Sequence, residues 1–428
     1  MQTSTASSIA QAIDAAATAL QARVITWRHD IHQHPELGNR EFRTAALVAE
    51  HLRGLGLDDV RTGVAHTGVV AVLRGALPGP VVALRADMDA LPVVEEVDVP
   101  YASKARGQWN GQDVGVMHAC GHDCHVAILM GVAQVLASLR GQLRGSVKFI
   151  FQPAEELPPD GEDGGAKMMI AEGALQAPTP RAIFGLHVTS RLPTGFIGYR
   201  PGPTMASSDT LRITVLGRQT HGAVPWAGVD PIVTAAQVLL GLQTVVSRGI
   251  DLTEEPAVVT VGTIHGGVRE NIIPDRVEMR GTIRTFNEQM RDDIHERVTT
   301  LAEAVSRGSR AGCQVCIDRK YPVTVNDPAL TEAMLPTLQR SAGTDHVMLV
   351  PKVTGSEDFS FFQRVVPGLF IFLGVTPPGT DPKLAPPNHS PRFAADDAGL
   401  LLGVRTMAHL ACDYLEAAGA VSAEAPVT

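Results

Sequence analysis

M-H-A-C-G-H-D-C-H, residues Met117 to His125, places three histidines, two cysteines and one aspartate around a single glycine. Imidazole nitrogen, thiolate sulfur and carboxylate oxygen are the donors that transition metals take from proteins. A lone histidine is more often structural. Three of them with a cysteine, just ahead of an apolar run, point to part of a metal site. Cys120 and His122 are two apart, and in extended or loop backbone such residues point the same way, so both can reach one centre. His118 and His122 have the spacing of a zinc-protease helix. The glutamate after the first histidine is missing, however, and Gly121 breaks the helix, so that motif is excluded.

Working outward, His125–Leu139 reads as a buried helix and Val93 to Gln112 as loop. Val81–Ala86 is of strand length and ends in D-M-D, which puts Asp87 and Asp89 at a strand's carboxyl end. Gly68–Leu73 is another strand, with Pro78, Gly79 and Pro80 between the two. Gly145–Phe151 ends at Q-P-A-E-E, leaving Glu155 and Glu156 just past it. Ala182–Val188 carries His187. Leu369–Val375 is followed by a Pro-rich stretch holding His389. Helices are expected over 9–32, over Glu41 to Leu55 and from about Ala395 to Ala417. Strands alternating with helices define an α/β sheet, in which ligands bind outside the carboxyl ends of the strands.

The pattern changes near residue 203. Thr210–Leu216, Val258–Ile264, Val277–Arg284 and Cys313–Asp318 read as strands, and Asp230–Val246 and Glu288–Arg307 as helices. The order β-α-β-β-α-β is that of a ferredoxin-like module. It is an insertion, because the α/β pattern returns after it. The expected segments are 1–202, 203–320 and 321–428, a mixed-sheet α/β domain with helices on both faces, interrupted by a ferredoxin-like α+β domain.

The chain has 428 residues, 44% of them hydrophobic and 19% charged, which fits a globular enzyme too long for one core. A formal charge of −9 offers no basic stripe and argues against nucleic acid. Five cysteines in such a length are no disulfide framework, so a reducing cytoplasm is expected. The N-terminal residues lack a basic region followed by an apolar run, and no secretory signal is expected. No stretch reaches about 18 uninterrupted apolar residues, so no membrane span is expected either.

Adjacent carboxylates at a strand end point in different directions. One of Glu155 and Glu156 can therefore bind metal while the other serves as general base. The bland alternative is a solvated acidic loop, since Asp160, Glu162 and Asp163 follow. His187 on its own reads as a core histidine, and His389 as a surface one. Cys313 and Cys316 have no second pair and face opposite sides of a strand, which is packing. G-T-I-H-G-G lacks the spacing of a phosphate loop. Ser207 and Ser208 have no G-x-S-x-G context.

Seven motifs in order, R-H-D-I-H-Q-H-P-E-L-G, L-R-A-D-M-D-A-L-P, M-H-A-C-G-H-D-C-H, F-Q-P-A-E-E, G-L-H-V, G-S-E-D-F and P-N-H-S-P-R-F, span about residues 26 to 412. Together they resemble the aminoacylase/carboxypeptidase family of two-metal amidohydrolases. The branch is that of hippurate hydrolases, N-acetyl-diaminopimelate deacetylases and plant auxin-conjugate hydrolases. The resemblance implies a catalytic domain with an inserted lid that also dimerises. It implies two divalent ions (zinc, manganese, cobalt or nickel) held by Cys120, His122, Glu156, His187 and His389. Glu155 would be the general base on a water shared by the metals, and Asp89 would orient a ligand. His221 would contact the substrate or the developing oxyanion from the partner subunit of a dimer, with Asn271 and Arg284 holding the substrate carboxylate. The implied reaction splits an N-acyl-L-amino acid into a carboxylic acid and a free amino acid. A dipeptidase, a carboxypeptidase or an N-acetyl-diaminopimelate deacetylase would use the same site. A metal-binding scaffold and a thiol enzyme with Cys120 as nucleophile are the readings from other classes. Glu155 argues against the scaffold, because a binding module has no use for a base beside the metals.

Overall fold

The computed structural model describes residues 2–423. They form two compact units. The first takes the chain up to Gly202, Asn326–Val350 and the residues from Phe361 onward; the second takes Pro203–Val325 and Pro351–Ser360.

The first unit is built on an eight-stranded mixed sheet. Its order is Asp58–Val64, Gly68–Arg74, Arg144–Gln152, Leu77–Asp87, Ala182–Pro193, Gly368–Thr376, Ile197–Tyr199 and Val347–Leu349. The four strands from Arg144–Gln152 to Gly368–Thr376 run parallel to one another. Their carboxyl ends therefore open on one edge of the sheet. Gly68–Arg74 is buried up to Arg74, and Gly368–Thr376 is buried throughout, as continuous apolar strands are when both faces of a sheet are covered. The helices Gln2–Gln33, His122–Ser138 and Ala398–Ala423 pack on one another. His122–Ser138 buries every residue from His122 to Ala133, which is why its sequence is apolar all round rather than striped.

Several elements differ from the sequence reading, among them the sheet strands Asp58–Val64, Ile197–Tyr199 and Val347–Leu349, which it left unassigned. The expected loop before Met117 contains a hairpin, Arg106–Trp109 with Gln112–Gly115, closed by Asn110 and Gly111 at φ 49° and 79°. An Asn-Gly pair is the residue choice for that turn. Its four-residue strands, R-G-Q-W and Q-D-V-G, are too short and too polar for an alternation of apolar residues to reveal them. The helix expected from His125 begins at His122. A helix over Pro328–Ala342 goes unread in the sequence because Pro336, which lies inside it, reads as a stop.

In the second unit a four-stranded antiparallel sheet has the order Ala257–Gly266, Arg276–Thr285, Ser208–Leu216, Gly312–Tyr321. In chain sequence that is second, third, first, fourth, the ferredoxin-like arrangement expected. Helices Pro231–Gly249 and Glu288–Gly308 cover one face, packing Val238, Leu242, Ile294 and Val298 on Leu211, Ile213, Val277 and Met279. Asp230 and Asn287 cap them by accepting backbone N–H groups of the first turn. By length and composition Pro231–Gly249 could cross a bilayer, but Ala235, Val238, Leu242 and Val245 are buried in this core.

Candidate metal centre

The centre lies in the first unit, where the parallel strands end. Cys120 and His122 meet through a corner rather than through the extended backbone that their spacing implied. Gly121 between them has φ 87° and caps the helix that His122 opens. A Cβ there would lie 2.3 Å from Val188 Cγ2, so only glycine fits. His187 lies midway along Ala182–Pro193. Its Nδ1 donates to the Val188 carbonyl at 2.7 Å, which leaves Nε2 as a bare lone pair 3.4 Å from Cys120 Sγ. His389 comes from the Pro-rich loop past Gly368–Thr376 and has φ 72°. Its backbone N–H donates to the Ala119 carbonyl at 2.8 Å, and its Nε2 reaches to 3.2 Å from Cys120 Sγ and 2.8 Å from Glu156 Oε1.

Glu155 and Glu156 follow Arg144–Gln152 in a turn flanked by Ala154 at φ 49° and Leu157 at φ 80°. Donor atoms of Cys120, His122 and His187 lie within 4.8 Å of one another, as do those of Cys120, Glu156 and His389, and those of His122, Glu155 and Glu156. All five expected ligands and the expected base thus converge.

The donors crowd one another more than they pair. His122 Nε2 is buried with no hydrogen-bond partner, and Glu156 Oε1 lies 2.8 Å from His389 Nε2. Burial, reinforced by Glu156 and Glu155, pushes the Cys120 thiol well above its ordinary range. Burial and the neighbouring His125 hold His187 far below its usual value, a neutral imidazole. Burial works against the Glu156 carboxylate, but His389 outweighs it and keeps the group ionised. A cation among these groups is what makes the thiolate the favoured form, so the donor set fits a divalent metal.

Supporting groups aim the donors. Asp89 Oδ1 lies 3.2 Å from His122 Nδ1, and Asp89 Oδ2 accepts the Glu156 backbone N–H at 2.9 Å. Burial opposes protonation of His122, but Asp87 and Asp89 raise it to about 10. His125 is 2.5 Å from Asp87 through Nδ1, and its Nε2 accepts the Val188 N–H at 2.8 Å. That fixes the strand beside His187. Arg28 and His32 both donate to Asp123 Oδ2 at 2.9 Å, anchoring the first turn of the helix that begins at His122. His118 is buried and is held near 3 by that burial, a packed neutral ring. Asn388 was missed in the sequence: its Nδ2 donates to the carbonyls of Cys120 and Val188, each at 3.1 Å. The available signal was an asparagine next to His389 in a turn between prolines.

The other expected residues belong to the second unit. His221 is exposed on the short strand Thr220–His221 and pairs with Ile272, beside Asn271, whose carbonyl accepts from Gly222. Arg284 is half-buried and donates to Ser356 at 2.9 Å.

A set of sulfur, imidazole and carboxylate donors at the carboxyl edge of a parallel sheet, buried at Cys120 and His122 and open to solvent at His389, with the buried Glu155 carboxylate beside it, defines a metal-dependent hydrolase. The model for "Peptidase family M20/M25/M40" matches residues 83–413, and the chain belongs to that family. It is 40% identical to thermostable carboxypeptidase 2 of Saccharolobus solfataricus over 91% of this chain and 95% of that one. It is 37% identical to N-acetylcysteine deacetylase of Bacillus subtilis over 93% of this chain and 98% of that one. A solved Bacillus subtilis structure described as a dinuclear metal-binding peptidase of the M20 family superposes with a TM-score of 0.77, at 33% identity, covering 93% of this chain and 99% of that one. The protein is an amidohydrolase or peptidase that uses a divalent metal.

Proposed function

We propose that the chain hydrolyses the amide bond of N-acyl-L-amino acids, hippurate-like compounds among them, releasing a carboxylic acid and a free amino acid. The observation that carries this reading is the buried Glu155 carboxylate, within 4.8 Å of donor atoms on His122 and Glu156. The similarity to an N-acetylcysteine deacetylase supports an N-acyl amino acid. The similarity to a carboxypeptidase favours peptides as the second reading.

Cys120, His122, Glu156, His187 and His389 would hold two ions, in two groups that share Cys120. Mixed nitrogen, oxygen and sulfur donors suit zinc, manganese, cobalt or nickel. When bound, the ions polarise the amide carbonyl and make water more acidic. Glu155 takes a proton from the attacking water and delivers it to the leaving nitrogen. Asp89 keeps His122 and Glu156 in place. From the second unit, His221 would donate to the oxyanion, and Asn271 and Arg284 would bind the substrate carboxylate.

A homodimer formed through the second unit belongs to the same proposal. The edge strand Ala257–Gly266 exposes Val258 and Ile264, and the helix Pro231–Gly249 exposes Val233 and Leu240. A cytoplasmic setting fits five free cysteines, one of them in the centre.

The test is a matrix of substrates in which acyl group and amino acid vary independently, run on protein of known metal content. Turnover of N-acyl amino acids well above that of dipeptides is expected. The reverse ranking would transfer the function to the peptidase reading. Sedimentation of the same preparation is expected to give a dimer mass.

A further inference from the structure

The segment H-P-E-L-G-N-R-E, His34 to Glu41, takes no part in the chemistry above, yet it lies against the turn that does. Glu41 is fully buried. Its Oε1 accepts the Ala154 N–H at 2.9 Å, and its Oε2 accepts the Thr67 hydroxyl at 2.5 Å. Ala154 immediately precedes Glu155. On the other side, the Glu156 N–H is taken by Asp89 at 2.9 Å. Two buried carboxyl groups thus bracket the Glu155–Glu156 pair through the backbone.

The turn needs such a bracket. Ala154 and Leu157 both have left-handed backbone, which local sterics disfavour for residues other than glycine. Gly38 backs the same turn, where an added Cβ would be 3.2 Å from both Ala154 Cβ and the Leu157 carbonyl. Asn39 Nδ2 secures the following loop by donating to Glu162 Oε2 and to the Asp163 carbonyl, each at 3.0 Å.

We propose that Glu41 is a positioning residue whose carboxyl group fixes the Ala154–Leu157 turn and so the aim of Glu155 and Glu156. The proposal rests on the roles assigned above to those two residues. Burial, with Asp89 nearby, pushes the Glu41 carboxyl up to about 8, so the neutral amide of glutamine is a close substitute. In Glu41→Gln the side-chain oxygen still meets the Ala154 N–H. In Glu41→Ala that N–H is buried without a partner.

The experiment compares Glu41→Ala, Glu41→Gln and Gly38→Ala with the parent. It reads melting temperature, kcat and KM separately, and the affinity and visible absorption of bound Co²⁺. Glu41→Ala is expected to stay folded, lose about 10- to 100-fold in kcat with KM within about twofold, and shift the Co²⁺ spectrum. Glu41→Gln is expected to recover kcat to within about threefold. If Glu41→Ala does not fold, Gly38→Ala carries the test, since it displaces the turn by a few tenths of an ångström without removing a hydrogen bond. It is expected to lower kcat by about three- to tenfold at an unchanged melting temperature. A folded Glu41→Ala or Gly38→Ala with parental kcat and Co²⁺ spectrum would overturn the proposal. So would a Glu41→Gln as impaired as Glu41→Ala. Failure of the underlying roles looks different: Glu155→Gln would keep turnover, or Glu156→Ala would keep its full metal content.

Discussion

Asp89 and His122 face each other at 3.2 Å, Oδ1 to Nδ1, while the second oxygen of the same carboxylate takes the Glu156 N–H at 2.9 Å. One buried aspartate therefore orients the ring of one proposed ligand and the backbone of another. An asparagine in its place accepts at one oxygen only. Asp89→Asn is expected to weaken metal binding by about 10- to 100-fold, measured by competition with a chromophoric chelator. Parental affinity would remove Asp89 from this role.

Glu155 is buried beside the donors, and its assigned task is proton transfer. Glu155→Gln is expected to retain metal by elemental analysis and to lose about 10²–10⁴-fold in kcat. Substantial turnover in the metal-loaded variant would assign the base elsewhere.

Cys120 belongs to both donor groups around it, with His122 and His187 and with Glu156 and His389. Cys120→Ala is expected to bind less metal at every concentration tested. In the parent, dialysis against a chelator is expected to abolish activity, with recovery on adding a divalent cation, and to lower the melting temperature. A thiol enzyme would keep its activity through the dialysis.

His32 is buried, with Nδ1 2.9 Å from Asp123 and Nε2 3.1 Å from Glu95. Burial disfavours its charge, but the two carboxylates outweigh that and raise it from 6.5 to about 9. Between those values the folded protein keeps a proton that the unfolded chain has released. The stabilisation is therefore complete below about pH 6.5 and is lost as pH rises through about 9. Melting temperatures across that range are expected to fall more steeply for the parent than for His32→Gln. Parallel curves would show that His32 contributes no pH-dependent stability.

Much of this architecture was legible because its signals are local. Apolar runs of strand length marked Gly68–Arg74, Arg144–Gln152 and Gly368–Thr376, and the polar residues just past them marked the sheet edge. The alternation in Ser208–Leu216 showed a sheet covered on one face. The hairpin at Asn110 and the helix through Pro336 escaped, the first for want of alternation and the second because proline reads as a stop.

At the centre, residue types and spacing pointed to Cys120 and His122 and to divided roles for Glu155 and Glu156, while His187, His389 and the choice of base came only with the family resemblance of the ordered motifs. The tertiary structure decided how they meet. Cys120 and His122 join through a left-handed glycine, which no period of two or 3.6 predicts. His187 and His389 arrive because Ala182–Pro193 and Gly368–Thr376 pair in parallel, an alignment made by hydrogen bonds between segments far apart in the chain. Glu41 and Asn388 act by accepting and donating backbone hydrogen bonds across the fold. Such partners leave no local pattern, because the groups they satisfy exist as neighbours only once the sheet has formed.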